Sequence, residues 1–185
     1  MLNRVPEFIL AMNALESQIN ITIDKWIDLA NKYSLSTLLK KPSDESWSLG
    51  QVAMHIDAET NFYITQIETC LHSSENSTES MTDDAKTMFE QNSFPNIKIR
   101  RDDTLSQHYP QPESKDDLYN RMNKLKERLN SLIIKIEASN SKGKTMHPGL
   151  GYFNAEQWLQ FAEMHMRHHL RQKATIETEL NLCSP

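Results

Sequence analysis

Apolar residues recur along this chain at three- and four-residue steps in four separate windows, the spacing of helices that each bury one stripe. In the first window Phe8, Met12, Leu15, Ile19, Ile23 and Trp26 keep that step and predict a helix over roughly residues 6 to 32. The second opens at Ser48, where Ser48-Leu49-Gly50-Gln51 reads as a capping box and Trp47 with Val52 as a hydrophobic staple. Its stripe is Val52, Ile56, Glu59, Tyr63, Ile67 and Cys70. The third starts at Ser114 and runs without a break through Leu118, Met122, Leu125, Leu129, Leu132 and Ile136. The fourth starts at Asn154, with Gln157 three positions on, and continues to about Leu180. None of the seven prolines interrupts a window, and a proline inside a helix would cost about 3 kcal/mol.

These windows predict an all-α four-helix bundle, with residues 1 to 185 forming a single domain. A polar connection over residues 74 to 113 separates the second helix from the third and holds Ser74-Glu75-Asn76-Ser77 and three prolines. A connection of that length lets consecutive helices run parallel, so the expected order is up-down-down-up. The short first and last links suit antiparallel neighbours. Residues 80 to 91 are expected to form a short extra helix, and no strand-like alternation of useful length is visible.

The fourth stripe reads Trp158, Ala162, His165, His169, Gln172, Ile176 and Leu180, so polar side chains take mid-helix positions that should be apolar. Residues four apart share a face about 6 Å apart, which suits two imidazoles converging on one ion. Such a pair alone also fits two buried histidines hydrogen-bonded to neighbours. His55 supplies a third imidazole, near the start of the second helix and between Val52 and Ile56 on one side and Glu59 on the other. Three protein ligands leave a coordination position open, the pattern of a catalytic rather than a structural zinc, although imidazole also suits nickel, copper and iron. His168 competes as a ligand but steps off the stripe, and is expected to be exposed or to support a ligand. His147 is expected to be a loop hydrogen-bonder, and His72 and His108 to lie on the surface.

Charge and cysteine usage narrow the field. A formal charge of −5, with Lys and Arg clustered only at Arg100-Arg101 and in the Lys124 to Arg128 stretch, disfavours a nucleic-acid partner. No window approaches the ~20 apolar residues of a membrane span, and no apolar h-region opens the chain. With two isolated cysteines, Cys70 and Cys183, a cytoplasmic protein is expected.

The segments Trp47-Ser48-Leu49-Gly50-Gln51-Val52-Ala53-Met54-His55-Ile56 and His147-Pro148-Gly149-Leu150-Gly151, the latter leading through Glu156-Gln157-Trp158 to His165-Met166-Arg167-His168-His169-Leu170-Arg171-Gln172, resemble the DinB/YfiT superfamily. Within it, the likeness is to a bacterial subgroup sharing the His-Pro-x-x-Gly loop and the His-His-x-x-Gln helix. The resemblance implies an up-down-down-up bundle, often a homodimer, whose metal histidines map onto His55, His165 and His169 and hold zinc or nickel. It also implies a small-molecule substrate: some relatives are transferases that use a low-molecular-weight thiol, others isomerases or hydrolases.

For chemistry the chain must supply a nucleophile, or the metal must activate one. Cys70 and Cys183 stand 15 and 14 positions beyond the nearest ligand, about 22 and 21 Å along a helix, so the nucleophile is expected to be water or the thiol of a cosubstrate. Glu59 and Gln172 are the candidate catalytic residues. Glu59, one turn from His55, reads as a base, a group orienting the His55 ring or a plain boundary residue; Gln172 could orient substrate. Arg167 and Arg171 could attract an anion, but Glu163 and Arg167 also read as an ordinary four-residue surface pair. The rival to an enzyme is a non-catalytic metal-binding or stress-associated bundle.

Overall fold

The computed structural model describes residues 7–95 and 109–182; Arg100, Arg101, His108 and Cys183 lie outside them. Four long helices carry the fold: α1 (Glu7–Lys32), α3 (Leu49–Leu71), α5 (Lys115–Glu137) and α6 (Ala155–Glu179). Two short ones, α2 (Leu35–Leu39) and α4 (Asp83–Glu90), lie between them, and a hairpin of β1 (Lys144–His147) and β2 (Gly151–Asn154) leads into α6. The helix starts follow side-chain chemistry. Ser48 and Asn154 form reciprocal capping boxes with Gln51 and Gln157, and Ser114 accepts from the backbone of Asp117, so each cap satisfies a first-turn N–H that lacks a helical partner.

Cross-helix bonds fix the direction of each pair. Asn20 and Asn130 exchange amide hydrogen bonds while Lys126 pairs with Asp24, so α1 and α5 are antiparallel. Cys70, at the end of α3, donates to the Phe153 carbonyl at the entrance to α6, while His55, near the start of α3, meets His165 and His169; these two helices are antiparallel as well. Arg121 on Asp57 and Arg128 on Asn61 make α3 and α5 parallel. Thr22 on Glu163, Trp26 on the Met166 carbonyl and Tyr33 on Glu177 make α1 and α6 parallel. The result is up-down-down-up, as the connection lengths predict. One expectation is corrected: α1 and α3 are antiparallel but hardly touch, each packing instead on α5 and α6. Helices joined by a short link therefore sit across a diagonal, which makes α3 and α6, far apart in sequence, neighbours along their length.

The core is continuous through the bundle, with Trp26, Trp158, Phe153, Met12, Ile19 and Ile64 fully buried. Burying each such side chain contributes about 1.5–3 kcal/mol relative to leaving it exposed. The hairpin is a second correction. Its strands, Lys-Thr-Met-His and Gly-Tyr-Phe-Asn, are four residues each, too short to show a two-residue period, but they pair in register from Lys144↔Asn154 to His147↔Gly151. Positive φ at Gly149 and Gly151 turns the chain between them. Among the described residues, no helix is long and apolar enough to cross a membrane.

Candidate metal centre

His55, His165 and His169 are brought together, and they form a cluster suited to holding a metal ion among the described residues. The Nε2 atoms of His55 and His165 lie 3.2 Å apart, those of His55 and His169 3.1 Å, and those of His165 and His169 3.2 Å. Each Nε2 is either a donor or an acceptor. Among three such atoms in mutual contact at least two must be alike, so no placement of protons satisfies all three approaches. A cation, by contrast, takes three lone pairs at once. Nitrogens about 2.0–2.1 Å from a zinc ion at tetrahedral angles stand about 3.3–3.4 Å apart, close to the observed triangle, so the donor set fits such an ion.

Each ring is held from a different direction. His169 Nδ1 lies 2.8 Å from Gln172 Oε1, which accepts its proton and leaves the Nε2 lone pair facing the other two rings. Gln172, expected to orient substrate, is thus bonded to His169. His165 is buried, with Tyr63 edge-on at 5.5 Å and Phe94 at 6.1 Å between ring centroids. His55 is buried against Trp47 at 5.2 Å and Tyr109 at 4.6 Å.

Glu59 is part of the same wall. Its two carboxylate oxygens accept from the hydroxyls of Tyr109, at 2.8 Å, and Tyr63, at 3.2 Å, so it links the aromatic side chains that flank His55 and His165. Tyr109 comes from the polar connection, where no periodicity marks it, and nothing in the sequence singled it out. Trp47, read as a staple residue, also forms part of the wall.

The remaining candidates fall outside the triangle. His168 points to Arg171, 2.8 Å away, and to Phe94; burial first, then the Arg171 charge, push its pKa down. His147 is not a loop residue: it closes β1 with its ring 4.9 Å from Phe161 and 5.5 Å from Trp158. His72 ends α3 and is exposed, as expected. Cys70 is buried at the far end of α3, where burial pushes its thiol pKa up, so it is no nucleophile for this site.

Glu163 and Arg167 need a correction. Glu163 is fully buried, accepting from Thr22 at 2.8 Å and from Arg167 through two nitrogens, and Arg167 also donates to the Asn92 carbonyl. The pair ties α6 to α1 and to residue 92 and is not a surface pair.

Among curated proteins, none matches this sequence. Two solved structures share the fold. YfiT from Bacillus subtilis, described as a "probable metal-dependent hydrolase with an unusual four-helix bundle topology", has a TM-score of 0.62 at 13% identity, covering 98% of this chain and 93% of its own. TT2238, described as a four-helix bundle protein, has a TM-score of 0.52 at 12% identity, covering 89% of this chain and 98% of its own. The model of the DinB superfamily matches residues 18–172, a span that includes all three histidines, and the chain therefore belongs to the DinB superfamily.

Proposed function

We propose that the protein is a metal-dependent enzyme acting on a small molecule, with one divalent ion, zinc or nickel, held by His55, His165 and His169. The observation that supports this reading is the triangle of Nε2 atoms, in which no placement of protons satisfies all three approaches while a shared cation would. When bound, such an ion supplies Lewis acidity, polarising a substrate and easing the ionisation of a weak nucleophile. Three protein ligands leave room for that substrate, whereas structural zinc sites close with four.

The chain's own groups then have defined tasks. Gln172 holds His169 in the tautomer that presents Nε2. Glu59 is the nearby carboxylate for proton transfer, with the Tyr109 and Tyr63 hydroxyls fixing its position. Trp47, Tyr109 and Tyr63 give the site apolar walls that limit water. With Cys70 buried and distant, the nucleophile comes from outside the chain. Water makes the protein a hydrolase, the activity with which YfiT is described. A low-molecular-weight thiol makes it a transferase, a reading supported by the affinity of zinc for thiolate.

The test is metal analysis of protein purified without a polyhistidine tag, followed by ester hydrolysis and thiol-conjugation assays with zinc or nickel restored. Near one ion per chain, lost in His165→Ala together with activity, is the expected result. Metal well below one per chain and unchanged by His165→Ala sinks the proposal. Chelation is expected to abolish activity and leave the helical signal intact.

A further inference from the structure

We infer that Tyr109 is a positioning residue for the metal centre: it fixes the ring of His55 in the orientation from which Nε2 meets the other two histidines. The inference rests on the three-histidine metal reading above. The ring of His55 stands against Tyr109, edge-on at 4.6 Å and 80°, and against Trp47 at 5.2 Å. Trp47 and Tyr109 in turn pack on each other at 5.4 Å.

Much of the chemistry at the start of α3 serves to seat Tyr109. Gln51, besides closing the capping box, donates from Nε2 to the Tyr109 carbonyl at 3.0 Å. The Ser48 hydroxyl donates to Gln111 Oε1 at 2.7 Å, and Gln111 donates to the Leu39 carbonyl at 3.1 Å. Gly50 lets Pro112 approach, since a Cβ there would stand 2.7 Å from Pro112 Cδ. Glu59 then accepts from the Tyr109 hydroxyl, so backbone and side chain are both held. The residues 109–112 are thus strapped across the first turn of α3, about one turn from His55, and the strap ends in the ring that packs against His55. Groups hydrogen-bonded to a metal ligand typically change metal affinity about 10–100-fold when removed, which sets the scale expected of a ring that holds a ligand in place.

The test uses metal-stripped full-length protein. Zinc affinity is measured by competition with a chelating indicator, and the ligand field by the visible spectrum of the cobalt(II) form. Tyr109→Leu is expected to lower zinc affinity about 10–100-fold and to weaken the cobalt spectrum. Tyr109→Phe keeps the ring and is expected to lose several-fold, whereas Glu59→Gln, which still accepts from the tyrosine, stays near wild type. A merely structural role would lower the melting temperature of the metal-free protein and leave zinc affinity unchanged. A zinc affinity for Tyr109→Leu within about twofold of wild type, with an unaltered cobalt spectrum, overturns the inference. Should that variant not fold, Tyr109→Met, which also removes the ring, decides by the same threshold. Because these readouts need no substrate, wild-type protein that binds zinc tightly without hydrolase or transferase activity sinks the enzymatic reading alone. Wild-type protein that binds no divalent ion sinks both.

Discussion

Gln172 accepts the Nδ1 proton of His169 across 2.8 Å, less than one helical turn along α6. The bond decides which ring nitrogen carries the lone pair, and hence whether His169 can act as a ligand through Nε2. Gln172→Leu should weaken zinc binding by about tenfold or more, while Gln172→Glu, a stronger acceptor, should bind at least as tightly as wild type. Competition titration with a chelating indicator checks this, and equal affinities for the leucine variant and wild type would rule out the role.

Gly50 supports the same site from a distance. Its Cβ position lies 2.7 Å from Pro112 Cδ and 3.0 Å from the Leu38 carbonyl, so Gly50→Ala must push the 109–112 segment off α3. The expected cost is about 1–3 kcal/mol in denaturant unfolding, together with weaker metal binding. Loss of stability with metal affinity intact would show that the strap and the site are independent.

Glu163 is a carboxylate without solvent access, held by Arg167 and Thr22. Arg167→Ala leaves that charge without its cation and should cost about 3–5 kcal/mol, whereas adding Glu163→Gln should recover part of the loss. The double-mutant cycle, read by denaturant unfolding of the metal-free protein, should be strongly non-additive; simple additivity would contradict the pairing.

Glu177 predicts a pH dependence. Burial works to raise its pKa, but hydrogen bonds from Lys173 and Tyr33 and the nearby lysine charges outweigh this and hold it below the ordinary value of 4.5. A group with a lowered folded pKa contributes stability above its unfolded pKa and loses it as pH falls through the folded value. Wild type should therefore exceed Glu177→Gln in stability near neutral pH, with the gap closing as pH drops below 4.5. A gap that stays constant across that range would refute the assignment.

The four long helices were legible because caps and periodicity agree: Ser48, Ser114 and Asn154 each start the helix that the stripe behind them predicts. His165 and His169 were legible for the same reason, as polar residues on an apolar stripe. Tyr109 was not, because it reaches the site through long-range bonds to Gln51 and Glu59 from a stretch with no period of its own. The hairpin escaped because four-residue strands carry too little pattern. Glu163 and Arg167 show the limit of helical spacing as a guide. A four-residue step fits a surface pair and a buried one equally, and burial here is decided by Thr22 on another helix.

The diagonal placement of α1 and α3 has one more consequence. It makes partners of His55 and His165, which are 110 positions apart, while His165 and His169 are neighbours in any helical turn. An unfolded chain can offer the local pair to an ion at little cost, but recruiting His55 requires closing a loop of that length, an entropic demand of several kcal/mol. Under the proposed metal reading, discrimination between folded and unfolded chain would therefore reside in His55. A ligand that prefers the native state stabilises it by mass action, so under the proposed three-histidine reading a rise in melting temperature with zinc concentration would measure the reach of that single residue across the bundle.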